Sequence, residues 1–140
     1  MYFVDQQQIH QRLEQVSLVQ QAAMKVQTSW DDSIMVHMAQ ERILHLAVEI
    51  VTDIGSLLID GFIMRDASSY EDIVEIIAQE GVLNDELCTQ LLKLVSLRKP
   101  LVQQYSEWER NGIHPQLLTL PACMEQFKIS VQHYLKQELG

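Results

Sequence analysis

Between Ile43 and Met64 the chain reads ILHLAVEIVTDIGSLLIDGFIM, its longest apolar stretch, and the ionisable residues within it are His45, Glu49, Asp53 and Asp60. Charges at that frequency are too costly for a lipid-exposed span. The stretch is therefore read as a buried helix, predicted from about Asp32 to Asp60. Ile34, Met38, Leu44, Ala47, Val48, Val51, Ile54 and Leu58 give it an apolar face too broad for a single neighbour. Such a helix needs cover on several sides, either as the central helix of its domain or as part of a dimer interface.

The remaining chain must supply that cover, and its apolar spacing is helical. Ile9, Leu13, Val16, Val19, Ala23 and Val26 predict a first helix from Val4 to about Thr28, with capping groups for the second in Ser29, Trp30, Asp31 and Asp32. Ser68 or Ser69 can cap a short helix from Tyr70 to about Gln79, and Asn84 or Asp85 a fourth. Leu87, Leu91, Leu94, Val95, Val102 and Tyr105 carry that fourth helix to about Arg110. After the NGIHP loop, Leu117, Leu118, Leu120, Met124, Phe127, Val131 and Leu135 mark a last amphipathic helix. Hydrophobic residues make up 47% of the chain but aromatic residues only 6%, which suits Leu, Ile, Val and Met packed on long helices rather than a many-stranded sandwich. With 140 residues, one domain spanning 1–140 can bury its own core. The expected fold is all-α, a four- or five-helix up-and-down bundle that forms a homodimer. Cys88 and Cys123 lack metal or redox spacing and are read as packing thiols, and Met24, Met35, Met38, Met64 and Met124 as core filling.

Net charge is −9, so the overall field repels phosphate backbones and gives no reason to expect DNA binding. Any nucleic-acid contact needs a local cationic cluster. The N-terminal MYFVDQQQIHQRLEQ lacks the basic start and apolar run of a signal peptide, which predicts a cytoplasmic protein without a membrane span. No glycine-rich phosphate loop and no serine or cysteine nucleophile with a neighbouring base is present, and no cofactor is expected.

The segment LRKPLVQQYSEW carries the most chemistry. Pro100 has no N–H, so the carbonyl of Ser96 loses its helical partner and a kink or bulge is predicted. Beside it stand Arg98 and Lys99, with Gln103, Gln104 and Tyr105 one or two turns on. One reading is an anion-facing site, in which Arg98 holds a phosphate through its fork of donors and a glutamine reads an adjacent oxygen or base. The other is an exposed basic turn with Tyr105 packed on the core. A second constellation, Glu41, His45, Glu49 and Asp53, forms a polar row at four-residue spacing. It suits either a divalent metal or, the favoured reading, ion pairs of Glu49 or Asp53 with Arg42, Arg98 or Lys99. Arg65 and Asp66 are read as a local ion pair in a solvated turn, and His10, His37, His114 and His133 as scattered surface or packed histidines.

The stretch from Arg42 to Leu83, with Ser69-Tyr70-Glu71-Asp72 before the third helix, and LLKLVSLRKPLVQQY resemble the HepT-like proteins of the HEPN superfamily, most closely the YutE-type branch. Active members share an Arg, four residues, His, one residue, Tyr motif used for metal-independent RNA cleavage across a dimer cleft. On this resemblance Arg98 matches the arginine and Tyr105 the tyrosine, while Gln103 stands where the histidine is expected. An amide cannot exchange a proton near neutral pH, which implies the loss of about 10²–10⁴-fold of acid–base assistance. The resemblance thus implies weak or absent ribonuclease activity, with RNA or nucleotide binding retained through Arg98, Lys99 and Gln104. It also implies support of the arginine by Glu49 and Asp53, and a nucleotidyltransferase antitoxin that attaches AMP to Tyr105. A non-catalytic nucleotide- or RNA-binding adaptor is the alternative.

Overall fold

The computed structural model describes residues 2–140. Helix α1, Gln6–Thr28, starts on Asp5, whose carboxylate accepts the Gln8 N–H at 3.1 Å, and buries the six apolar residues that its spacing singles out. Helix α2 spans Ile34–Gly61 and packs against α1 and against every helix that follows. Of the two roles open to so broad a face, it therefore takes that of the central helix. Leu44, Ala47, Val48, Val51, Ile54 and Leu58 are fully enclosed, and burying each of the larger side chains is worth about 1.5–3 kcal/mol.

The cap of α2 is displaced from the expected segment. Ser33 accepts the Val36 N–H, Asp31 accepts the Ser33 N–H at 3.0 Å, and Asp32, at φ +60°, bonds Nε2 of buried His37 at 2.8 Å. Ile34 and Met38 are exposed rather than buried, as are Met24, Met35 and, on the last helix, Leu118. Helical spacing identifies an apolar face but not how far along it a neighbour reaches. Met124 alone of the five methionines sits fully in the core, with Met64 packed at its margin.

Helix α3, Tyr70–Gln79, begins at Ser69, whose hydroxyl accepts the Asp72 N–H at 3.0 Å, and α4, Asp85–Val95, begins at Asn84. The predicted fourth helix does not continue to Arg110. It stops at Val95, restarts as the five-residue α5, Arg98–Val102, and passes through a 3₁₀ turn at Tyr105–Glu107. Helix α6, Pro115–Leu139, lies on α1, α2 and α4 and buries Leu117, Leu120, Met124, Phe127 and Val131. The chain thus builds the expected all-α architecture, with five helices of ten residues or more, a short sixth, and no strand among the described residues. Among those residues no helix is long and apolar enough to cross a membrane. Both thiols are free, and burial raises that of Cys123 to about 11, in keeping with a packing role.

Gly55 marks the closest approach of α2 to α3, because a Cβ there would overlap Cγ2 of Ile73, a branched atom that cannot swing aside. Gly55→Ala gains about 1 kcal/mol of helix propensity but forces an overlap costing about 1–3 kcal/mol. We expect a lower urea midpoint at unchanged slope, and a midpoint at or above wild type would show that α3 shifts without penalty.

Candidate functional site

Proline determines where α5 begins. With Pro100 unable to donate to Ser96, the Leu97 N–H turns back to Leu94 at 3.0 Å, and the helix resumes with Pro100 in the first turn of α5, where a missing N–H leaves no bond unmade. At the other end the N–H groups of Gln103 and Gln104 both reach the Lys99 carbonyl, at 2.8 and 3.0 Å, and α5 closes. The break sets Arg98 beside the polar row of α2 and over the first residue of α3.

Two groups hold the guanidinium. Its Nε donates to Glu49 Oε1 at 3.1 Å, an oxygen that also takes Nε2 of His45 at 3.2 Å, and its Cζ lies 4.0 Å from the centroid of the Tyr70 ring. With side chains 21% and 30% exposed, the Arg98–Glu49 pair is worth about 1 kcal/mol at most, so its consequence is orientation more than stability. The stacked ring contributes a similar amount and restrains the guanidinium plane. Among the described residues the guanidinium bonds only through Nε, which leaves both Nη groups available to an oxyanion.

A shallow groove of about 190 Å³ opens at this point, lined by Ser69, Tyr70, Glu71, Arg98, Lys99 and Gln103. Lys99 is exposed and enters no ion pair among the described residues. The structure thus brings Arg98, Lys99 and Gln103 together in one lining but leaves Gln104 and Tyr105 out of it. Gln104 lines a different and larger cavity, and Tyr105 lines neither, standing 72% exposed on the 3₁₀ turn. The packed position considered for Tyr105 is overturned, because the helix that would have turned it toward the core ends at Val102.

Each carboxylate of the α2 row has an arginine. Glu41 is held by Arg110 at 2.7 and 2.9 Å, Glu49 by Arg98, and Asp53 by Arg12 of α1 at 3.6 Å. Asp53 therefore pairs with none of the three cations expected for it and does not touch Arg98. Arg65 also departs from expectation: it bonds Asp72 through both nitrogens at 2.8 Å, not Asp66. That guanidinium, with the backbone N–H and hydroxyl of Ser68, holds the Asp72 carboxyl far below the usual carboxylate range. This cluster anchors the first turn of α3 and so the ring of Tyr70 under Arg98.

The profile of the family described as "Ribonuclease HepT-like" matches residues 9–114. The chain belongs to the HepT-like family. It is 37% identical over all 140 residues to a Bacillus subtilis (strain 168) protein provisionally named RNase YutE, covering 96% of that protein. The solved structure of YutE from Bacillus subtilis, described as a cytosolic protein, superposes with a TM-score of 0.84 at 34% identity, covering 100% of this chain and 96% of that one. A toxin–antitoxin structure with AMP-PNP matches at a TM-score of 0.77 and 16% identity, over 89% of this HepT-like chain and 97% of the other. A tri-AMPylated Shewanella oneidensis HEPN toxin in complex with an MNT antitoxin matches at 0.77 and 18%, over 89% and 96%. At such identities these two show the shared fold.

Tyr70 is the site residue that sequence reasoning missed in this HepT-like protein, since it reads as an ordinary first residue of a helix. The only available signal was its place in the Ser-Tyr-Glu-Asp run. The anchoring cluster gives a pH prediction. Because the Asp72 carboxyl titrates below its unfolded value, its contribution is present above about pH 4 and lost as pH falls further. Asp72→Asn should therefore flatten the acid limb of the thermal-midpoint curve between about pH 4 and 2, and parallel acid limbs would show that the pair adds no pH-dependent stability.

Proposed function

We propose that this HepT-like ribonuclease-type domain binds RNA phosphate through Arg98 and Lys99, and that its cleavage is weak because Gln103 occupies the place of the motif histidine. The observation that carries the reading is the guanidinium of Arg98, fixed between Glu49 and Tyr70 with both Nη groups unbonded. On a chain of net charge −9, a restrained cation beside a second free one is a local exception that suits a phosphate rather than a protein carboxylate already present. Gln103 lines the same groove, where its amide can bond a phosphate or ribose oxygen but cannot shuttle a proton.

The exposure of Tyr105 supports a further part of the reading, that a nucleotidyltransferase antitoxin modifies it. The phenolic oxygen would attack the α-phosphate of ATP, forming a Tyr–AMP ester and releasing pyrophosphate, with the phenol proton passing to a base of the partner. The antitoxin complexes among its structural neighbours favour such a partner, and a homodimeric, cytoplasmic protein is part of the same proposal.

Binding of a short labelled single-stranded RNA should weaken at least tenfold in Arg98→Ala and fall with added salt. Gln103→His should raise cleavage by about 10²-fold or more, and Arg98→Ala in that background should abolish the gain. Unchanged RNA affinity in Arg98→Ala would sink the phosphate reading, while intact binding without cleavage in Gln103→His would assign the chain to the non-catalytic, adaptor class.

A further inference from the structure

A second cavity, of about 390 Å³, is lined in part by Pro100 and Gln104, shares no lining residue with the Arg98 groove, and takes no part in the phosphate contact proposed there. Its chemistry is different. Trp108 and His114 both line it, with ring centroids 5.6 Å apart and planes within 18° of parallel, which offers flat aromatic surface to a third ring. The imidazole is fixed: Nδ1 accepts the Gln116 N–H at 3.0 Å as the cap of α6, and burial lowers its basicity, so the ring stays neutral.

A further lining side chain is held in place. Gln40, only 2% exposed, accepts the His114 N–H at 2.7 Å and donates to the Gly112 carbonyl at 3.3 Å, which ties the loop before α6 to the central helix. Other polar residues of the lining are Gln104 and Asn111, with their amides, and Glu107 and Glu109, with their carboxylates, and Asn111 donates to Glu109 at 3.2 Å. No lysine or arginine lines the cavity, and neighbouring Arg110 is engaged by Glu41.

These features select a ligand. Two carboxylates without a cation exclude a phosphate or other anion. Parallel rings with a volume of this size admit a planar heterocycle, and carboxylate acceptors beside amides match a ring edge that carries N–H donors next to an acceptor. We propose that this cavity is a binding site for an amino-bearing nucleobase, stacked on Trp108 and His114 and read at its amino edge by Gln104 and Glu107. A cationic side chain from a protein partner would use the carboxylates but leave the amide donors without a role.

The test uses phosphate-free ligands, so that its failure and the failure of the Arg98 reading are distinguishable. Adenosine titrated into the full chain, followed by calorimetry and tryptophan quenching, should bind saturably, and inosine, with a carbonyl in place of the amino group, about fivefold or more weaker. Gln104→Ala and Glu107→Gln, both at exposed positions, should each weaken adenosine binding about fivefold, and Trp108→Ala about tenfold or more. A hexa-adenylate arm identifies the source: tighter binding than adenosine assigns the site to an RNA strand, and equal binding to a free nucleoside, either of which upholds the base pocket. The proposal is overturned by no saturation up to about 5 mM adenosine, equal affinity for inosine, unchanged binding in all three variants, or binding of N-acetylarginine amide but not adenosine.

Discussion

A carboxylate emerging from a helix that is packed against every other helix has few places to find a counter-charge, and α2 carries three in one row. Each is met by an arginine from a different part of the chain: Arg12 of α1 at Asp53, Arg98 of α5 at Glu49, and Arg110 of the segment before α6 at Glu41. None of these partly exposed pairs contributes much more than about 1 kcal/mol, small beside the burial of the aliphatic face of the same helix. Their importance is geometric. Burial holds α2 in the middle, and the row then sets which segments lie alongside it and at what height.

The middle pair is the one with chemical consequences. Pro100, two residues beyond Arg98, leaves α4 to end at Val95, and the restart at Arg98 delivers the guanidinium to Glu49 and to the face of Tyr70 instead of leaving it on a continuous helical surface. Tyr70 in turn is placed by Ser69 and by the Arg65–Asp72 cluster at the start of α3. A chain of net charge −9 thereby keeps one restrained and one exposed cation at a single groove. Pro100 of the same short helix also lines a second cavity, one without a lysine or arginine in its lining.

Similarity to relatives divides along the same line. The fold persists at 16–18% identity because helical spacing and a buried central helix tolerate many sequences of equal volume. Site chemistry tolerates far less: on the proposed reading, Gln103 in the place of the motif histidine would remove proton exchange while leaving shape almost unchanged.

The spans of α1, α2 and α3, capping residues at Ser69 and Asn84, the part of the α2 face from Leu44 to Leu58 and the disruption at Pro100 were all legible in the amino-acid order, because each rests on interactions within about four residues or on periodicity. The carboxylate row and its need for cations were equally visible. The pairing of Arg98 with Glu49 was among those expected, but Arg12 rather than Arg42, Arg98 or Lys99 reaches Asp53, and Asp72 rather than Asp66 takes Arg65, since pairing depends on how separate segments are set side by side. The end of the helix at Val102 and the exposure of Tyr105 likewise followed from tertiary placement, as did the meeting of Trp108, His114 and Gln40 around one cavity. Local order determines what each segment becomes, whereas contact between residues dozens of positions apart is decided only when the faces are covered.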